Sequence, residues 1–401
     1  MTAKKNNQLA IVGQIVPQEN KYYKRVSRVY LIVSFVMLVV LILTAVFSII
    51  YFNEYITYAN FRYLLRDFSS IDSFSESSYQ NIVYNSGSDS DFKYYKNGIS
   101  IINNGSYMYY DSTGKLLIND QLSYTSPISV TSNKYILVYD LDSYDYSIYN
   151  QLASVLNGKT EGKIIAADIS DEGSYVIVSK SRKTRYVAEL FNSSFKKILT
   201  VNKENYVLDV CVSSDGKYIG IASAVYSGND FYTELDICEK GKNESVAKVK
   251  IDNSIPLKIK KNENGFMVLC DNCMYMIDYG GNIISRREFR GYEIKLADFS
   301  EKYCLIVSSN DTLGYNNLVT VIDSINGQTI SEISYNGRIT EVKASVIDAH
   351  FGYLLTRDSV ITINSDNSLN PTKLETHISS IVAVKEGVVL CGENSTLLIS
   401  D

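Results

Sequence analysis

The chain of 401 residues has no tryptophan, two histidines, four prolines and six cysteines. With His350 and His377 alone, a Ser-His-Asp or Cys-His arrangement has little material, and both read as solvated residues at strand ends or turns. No GxGxxG, GxxxxGKS/T, HExxH or GxSxG sequence stands in a suitable context, so nucleotide-binding, metalloenzyme and α/β-hydrolase readings fall away, and no cofactor or metal is expected. Six scattered cysteines are too few to staple a chain of this length. Cys211, Cys238, Cys304 and Cys391 fall in apolar runs and read as buried thiols. Only Cys270-Asp271-Asn272-Cys273 has a recognisable spacing. It brackets a hairpin turn, lacks the following helix of a thioredoxin motif and the second ligand pair of a zinc site, and reads as a local disulfide or two free thiols.

A basic excess is also missing where nucleic acid would need one. Residues 1–52 hold six of the 39 basic residues and one of the 44 acids, so residues 53–401 carry a formal charge of about −10. That balance argues against nucleic-acid binding, and equally against a surface held to anionic lipid.

What stands out instead is one long apolar run. From Tyr30 to Phe52 there is no charge and no proline, and a helix of that length rises about 34 Å, enough to cross a hydrocarbon core of about 30 Å. A cleaved signal peptide would be shorter and end in small residues, whereas this run ends in aromatic and branched ones. Residues 29–52 are therefore expected to be an uncleaved signal anchor that contacts the lipid bilayer. Lys21, Lys24, Arg25 and Arg28, with Lys4 and Lys5, face a single acid, Glu19, and predict a cytoplasmic N-terminus and an extracytoplasmic remainder in the cell membrane. Residues 1–28 read as a basic cytoplasmic tail, 53–68 as a juxtamembrane helix with apolar residues at 58, 61, 64, 65 and 68, and 69–90 as a linker.

From residue 91 the pattern becomes short apolar strands broken by turn chemistry, including six Asn-Gly dipeptides and Asp215-Gly216, the signature of hairpins. Helical segments are nearly absent, with 149–156 undecided. The unit of apolar strand, polar turn and apolar strand recurs with turns at 98, 133, 173, 216, 265, 302, 352 and 387, a mean spacing of about 41 residues, which is the blade period of a β-propeller. A four-stranded sheet cannot bury both faces alone, but blades packed in a ring can. Residues 91–401 are thus expected to be an all-β propeller of eight four-stranded blades, alternatively seven. The last unit ends one strand short, and Asn81-Ile82-Val83-Tyr84-Asn85 is the candidate to close the ring.

The turn Ser213-Ser214-Asp215-Gly216-Lys217-Tyr218 and its weaker copy Ser170-Asp171-Glu172-Gly173-Ser174-Tyr175 resemble the turn that joins the innermost strand to its neighbour in TolB-like and WD40-like bacterial propellers. The lack of tryptophan removes the Trp-Asp ending of eukaryotic WD40 blades, and no proline precedes the aspartate. Over nearly its full length, through the span, residues 56–70 and the repeats, the chain resembles an uncharacterised family of Gram-positive bacterial single-pass membrane proteins with an exported PQQ-like or WD40-like propeller. That resemblance implies fold and location, and no activity.

Two chemistries remain to be placed. Asp168, Asp209 and Asp298 each neighbour an inner-strand candidate and could converge at one mouth of the central channel, as a carboxylate pair for a polysaccharide hydrolase or lyase, or serve as solvated or backbone-bonded residues. The acids of 140–145 lack the glycine and glutamate of an EF-hand loop and read as a plain turn. Thirty-three tyrosines, clustered at 107–110 and 139–146, suit strand surfaces, and a rim of Tyr and Asp would serve recognition. The function expected is a non-enzymatic binding or scaffold module for an envelope protein or cell-wall glycan.

Overall fold

The computed structural model describes residues 21–51, 81–84, 90–103, 105–228, 230–242 and 244–400. The proposed juxtamembrane helix at 53–68 and most of the linker and tail lie outside the described residues. The N-terminal helix spans Lys21–Tyr51, starting eight residues ahead of the expected span, because nothing between Pro17 and the apolar run opposes helix formation. Its segment Arg25–Phe47 is long and apolar enough to cross a membrane. Val29, Phe35, Met37, Leu41 and Phe47 are exposed on all sides of it, a surface that water solvates poorly.

Residues 91–400 form eight antiparallel sheets, seven of four strands and one of three. The blades run 91–121, 127–159, 164–203, 206–252, 256–288, 293–336, 341–373 and 380–400. Within each sheet the strands follow chain order, and the first strands of most successive blades pack on one another around the axis. This is the eight-bladed alternative of the two that the repeat allowed.

Apolar clusters fill the gaps between blades. Tyr135, Tyr139 and Tyr146 of blade 2 meet Tyr175 and Ile177 of blade 3, and Tyr95, Tyr107 and Tyr109 of blade 1 meet Ile136 and Tyr149 of blade 2. Tyr107 stacks on Tyr149 at 4.0 Å and Tyr175 on Phe191 at 4.6 Å. Tyrosine therefore fills the gaps between blades in a chain without tryptophan, and the clusters at 107–110 and 139–146 lie on strand surfaces that are mostly core; of 139–146 only Tyr144 is an exposed ring.

The ring closes through residues 81–84. Val83 bridges Ser395, Tyr84 N donates to Asn394 O at 2.9 Å, and Thr396 N donates to Ile82 O at 2.9 Å. Ile82 and Tyr84 are buried among Phe92, Ile99 and Ile101 of blade 1 and Val382 and Val389 of blade 8, while Val83 points outward. Burying Ile82 alone is worth about 1.5–3 kcal/mol.

Turn details differ from expectation in two places. Asn157-Gly158 lies inside the outer strand Ser154–Lys159, where Gly158 faces Tyr146 so closely that a Cβ would sit 2.3 Å from its ring. Gly352, expected in a turn, pairs with Ala344 and Ile363 inside the second strand of blade 7, the turn falling at 345–349. The undecided stretch 149–156 is the turn and strand start at the outer side of blade 2.

Candidate functional site

The innermost strand of each blade is a sheet edge, so half of its amides and carbonyls have no partner within the sheet. The sequence supplies carboxylates at this edge. Asp168 Oδ2 accepts from Val212 N of the next blade at 2.8 Å, Asp209 Oδ2 from Ile259 N at 3.0 Å, and Asp298 Oδ2 from Ala344 N at 2.9 Å. Glu341 extends the series to Ile381 N at 2.8 Å and Ser380 Oγ at 3.1 Å, and Asp91 accepts from Ser129 Oγ at 2.8 Å. Each latch joins blade n to blade n+1. Glu341 and Asp91 were missed from sequence; each opens its inner strand, at the end away from the first hairpin turn.

The three aspartates do not share one mouth. Asp168 and Asp298 stand one residue before the ends of Ile164–Ile169 and Glu293–Phe299, beside the first hairpin turn, whereas Asp209 is central in Tyr206–Val212. Asp168 and Asp209 are buried. Lysines complete the belt: Lys258 lies 3.2 Å from Asp209, Lys261 3.0 Å from Asp171 and Lys343 3.0 Å from Glu341. Burial works against charge on Lys343, but the carboxylates of Asp298, Glu341 and Asp91 outweigh it and hold the ammonium above its ordinary value. Lys261 is raised in the same way, against burial, by Asp168 and Asp171.

The turns expected to resemble bacterial propeller turns do join first and second strands. Ser213 Oγ accepts from Lys217 N at 3.1 Å and Tyr218 N at 2.9 Å, and Gly216 takes φ +67°. Ser170 Oγ accepts from Ser174 N at 2.9 Å, with Gly173 at φ +92°. Ser132 and Ser300 repeat the device for Tyr135 N and Tyr303 N. These serines are local caps that set the hairpin.

Cys270 and Cys273 face each other across the Asp271-Asn272 turn, both buried and unbridged. A hydrogen bond from the Cys273 thiol holds Cys270 below its ordinary value against the effect of burial, helped by Thr233 at 3.6 Å and Ser254, and the same bond pushes Cys273 up. His350 Nδ1 lies 2.8 Å from Asn364 Oδ1, and His377 is exposed. Asp140 accepts from Thr125 N at 3.0 Å and Ser126 N at 2.7 Å, a turn-type role.

A different surface stands at the opposite rim from Asp168 and Asp298, where blades 3 and 4 meet. The loop Lys180-Ser181-Arg182-Lys183-Thr184-Arg185 carries four cations in six residues. Lys180 and Lys163 both bind Asp142, at 2.6 and 3.0 Å, and hold its carboxyl below the usual range. Arg185 lies over the Tyr206 ring at 3.9 Å, and Tyr206 meets Tyr226 edge-on at 6.4 Å. Tyr226 is 63% exposed near the tip of the ten-residue strands Tyr218–Ser227 and Asp230–Glu239, the longest strands among the described residues. Beside the loop lies an open cavity of about 480 Å³ lined by Lys180, Ser181, Arg185, Tyr186 and Glu204; Tyr206 and Tyr226 are not among its walls. Sequence reasoning missed this corner, although the cation run was visible.

Fold and site thus describe an eight-bladed β-propeller, preceded in the chain by an apolar helix. The chain belongs to DUF5711, a family of unknown function, which matches residues 70–399. Among curated proteins none matches this chain. Solved structures with a similar fold include hydrazine synthase of Kuenenia stuttgartiensis, at 12% identity over 75% of this chain and 99% of that one, TM-score 0.48. The WD40 domain of Neurospora crassa Pan2 is similar at 10% identity over 81% of this chain and 96% of that one, TM-score 0.47.

Proposed function

We propose that the chain is a non-enzymatic, membrane-anchored binding or scaffold module. In this reading the helix through Arg25–Phe47 is a signal anchor, the basic residues Lys21, Lys24, Arg25 and Arg28 keep the N-terminus in the cytoplasm, and the propeller presents a rigid face to an envelope protein or cell-wall glycan. The observation that carries it is the division of labour among polar side chains. The inner-strand carboxylates are engaged in blade-to-blade hydrogen bonds, while aromatic and cationic groups stand exposed on one rim. A general acid or base needs a carboxylate free to approach substrate, and Asp168, Asp209 and Asp298 are each tied to a main-chain amide.

The test is cross-linking in intact cells, comparing full-length protein with a chain lacking residues 91–401. A partner retained by the full chain and lost with the propeller supports the reading. Polysaccharide hydrolysis by the purified protein, abolished by Asp→Asn at two of positions 168, 209 and 298, would replace it with a hydrolase or lyase. Protease added to intact cells should digest the propeller, and a protected propeller would reverse the orientation.

A further inference from the structure

We propose that the corner between blades 3 and 4 binds an anionic carbohydrate polymer, with the 180–185 loop as its charge-recognising element and Tyr206 and Tyr226 as its stacking platform. The inference rests on the binding-module reading and names the ligand class.

Three observations converge. First, the part of the chain after the helix is acidic overall, yet this loop places Lys180, Arg182, Lys183 and Arg185 within six residues without an intervening acid, and all four are exposed. Lys180 is balanced by Asp142, whereas Arg182 and Lys183 form no ion pair among the described residues. An exposed cation pair with no carboxylate paired to it is available to an anionic ligand.

Second, the neighbouring rings are held ready. Arg185 covers one face of Tyr206, and Tyr226 meets Tyr206 edge-on at 6.4 Å. Saccharide rings carry C–H groups on one face that pack against the negative face of an aromatic ring, while their hydroxyls stay in water. Tyr206 is 46% and Tyr226 63% exposed, and Leu208 beside them is exposed as well. The depression beside them, lined by Lys180, Ser181, Arg185, Tyr186 and Glu204, is shallow and wide open to solvent, which suits a segment of an extended polymer better than an enclosed small molecule.

Third, Glu204 lines the same cavity, and Asp142 binds Lys180 at its edge. The local excess of cations is therefore modest, so attraction falls on the Arg182–Lys183 end while Glu204 meets hydroxyl donors. A highly charged linear polyelectrolyte such as nucleic acid would meet those acids and the acidic remainder of the surface. A carbohydrate polymer with spaced charges does not.

The experiment uses the full chain in lipid nanodiscs with four probes: a phosphodiester-linked hexose polymer (phosphomannan), polygalacturonate, neutral dextran and poly-L-glutamate. Binding of phosphomannan or polygalacturonate, weakening with added salt, is expected, and which of the two binds tells phosphate from carboxylate as the anionic group. Arg182→Glu with Lys183→Glu should weaken it about tenfold or more, and Tyr206→Ala with Tyr226→Ala severalfold, at an unchanged thermal midpoint. Dextran binding as tightly, or no effect of the Arg182/Lys183 pair, overturns the proposal. Poly-L-glutamate binding as tightly as the glycans overturns it in favour of an acidic polypeptide. If none of the polymers binds while the cross-linked partner is still captured through the propeller, the ligand class is wrong and the binding-module reading stands. Loss of both removes both.

Discussion

A carboxylate set at the inner edge of one blade finds, across the blade boundary, an amide that its neighbour's sheet leaves unpaired. Asp168, Asp209, Asp298 and Glu341 all use this opportunity, and a hydrogen bond from a main-chain amide to a charged acceptor is worth about 1.5–3 kcal/mol. Asp168→Ala or Asp298→Ala should therefore cost about 1–3 kcal/mol in denaturant unfolding, with Asn at either position costing less because its side-chain oxygen still accepts. Equal cost of Ala and a full-sized Asn would argue against the latch. Gly158 makes the complementary point. Its lack of a Cβ admits the Tyr146 ring, which is itself buried and 3.3 Å from the Tyr175 hydroxyl, so Gly158→Ala should destabilise by about 1–3 kcal/mol and disturb the packing between blades 2 and 3.

At the scale of elements, the strand-turn-strand unit was legible because its period of two and its turn residues are local properties. The blade boundaries followed from the spacing of those turns. Less legible were turns whose identity depends on a neighbour: Lys96 and Asn97, both at positive φ, form the two-residue turn before Gly98, so the Asn-Gly pair is displaced by one place from the turn centre. The segment 81–84 has only two inward side chains, too few for a periodic signal, and is held by Ser395, Thr396 and the cores of blades 1 and 8. Ile82→Ala should cost about 2–5 kcal/mol, and amide exchange should then rise first in Thr396–Ser400 and in blade 1. Exchange that rises evenly over all eight blades would mean that closure is not the weak point.

For the whole molecule, the belt of acids and lysines around the axis couples blades that are distant in sequence. Lys261 and Lys343 have pKa values raised in the folded state, so their stabilising contribution is fully present below the unfolded value of about 10.5 and is lost as pH rises through the folded value. The thermal midpoint should be flat with respect to these groups near neutral pH and fall above that value. Lys261→Met with Lys343→Met should make the alkaline fall shallower, which a pH series of thermal melts would read directly. An unchanged alkaline limb would show that the lysines contribute nothing to ring stability.

The sequence by itself determined the apolar helix, the all-β class, the repeat of about 41 residues and the absence of familiar catalytic motifs, because each of these is written in residue type and local spacing. Tertiary structure decided what the acids and tyrosines do. Asp168 could be a free channel-mouth group or a latch on the same local sequence, and only the position of Val212 in the next blade distinguishes them. Likewise Tyr107 and Tyr226 are the same residue type in similar strands, one sealed between blades and the other carried beyond them on a long hairpin. Burial and edge pairing depend on residues tens of positions away; the missing strand of the last unit pointed to 81–85 as the closing segment, but only the fold fixes its pairing of residue 83 with residue 395.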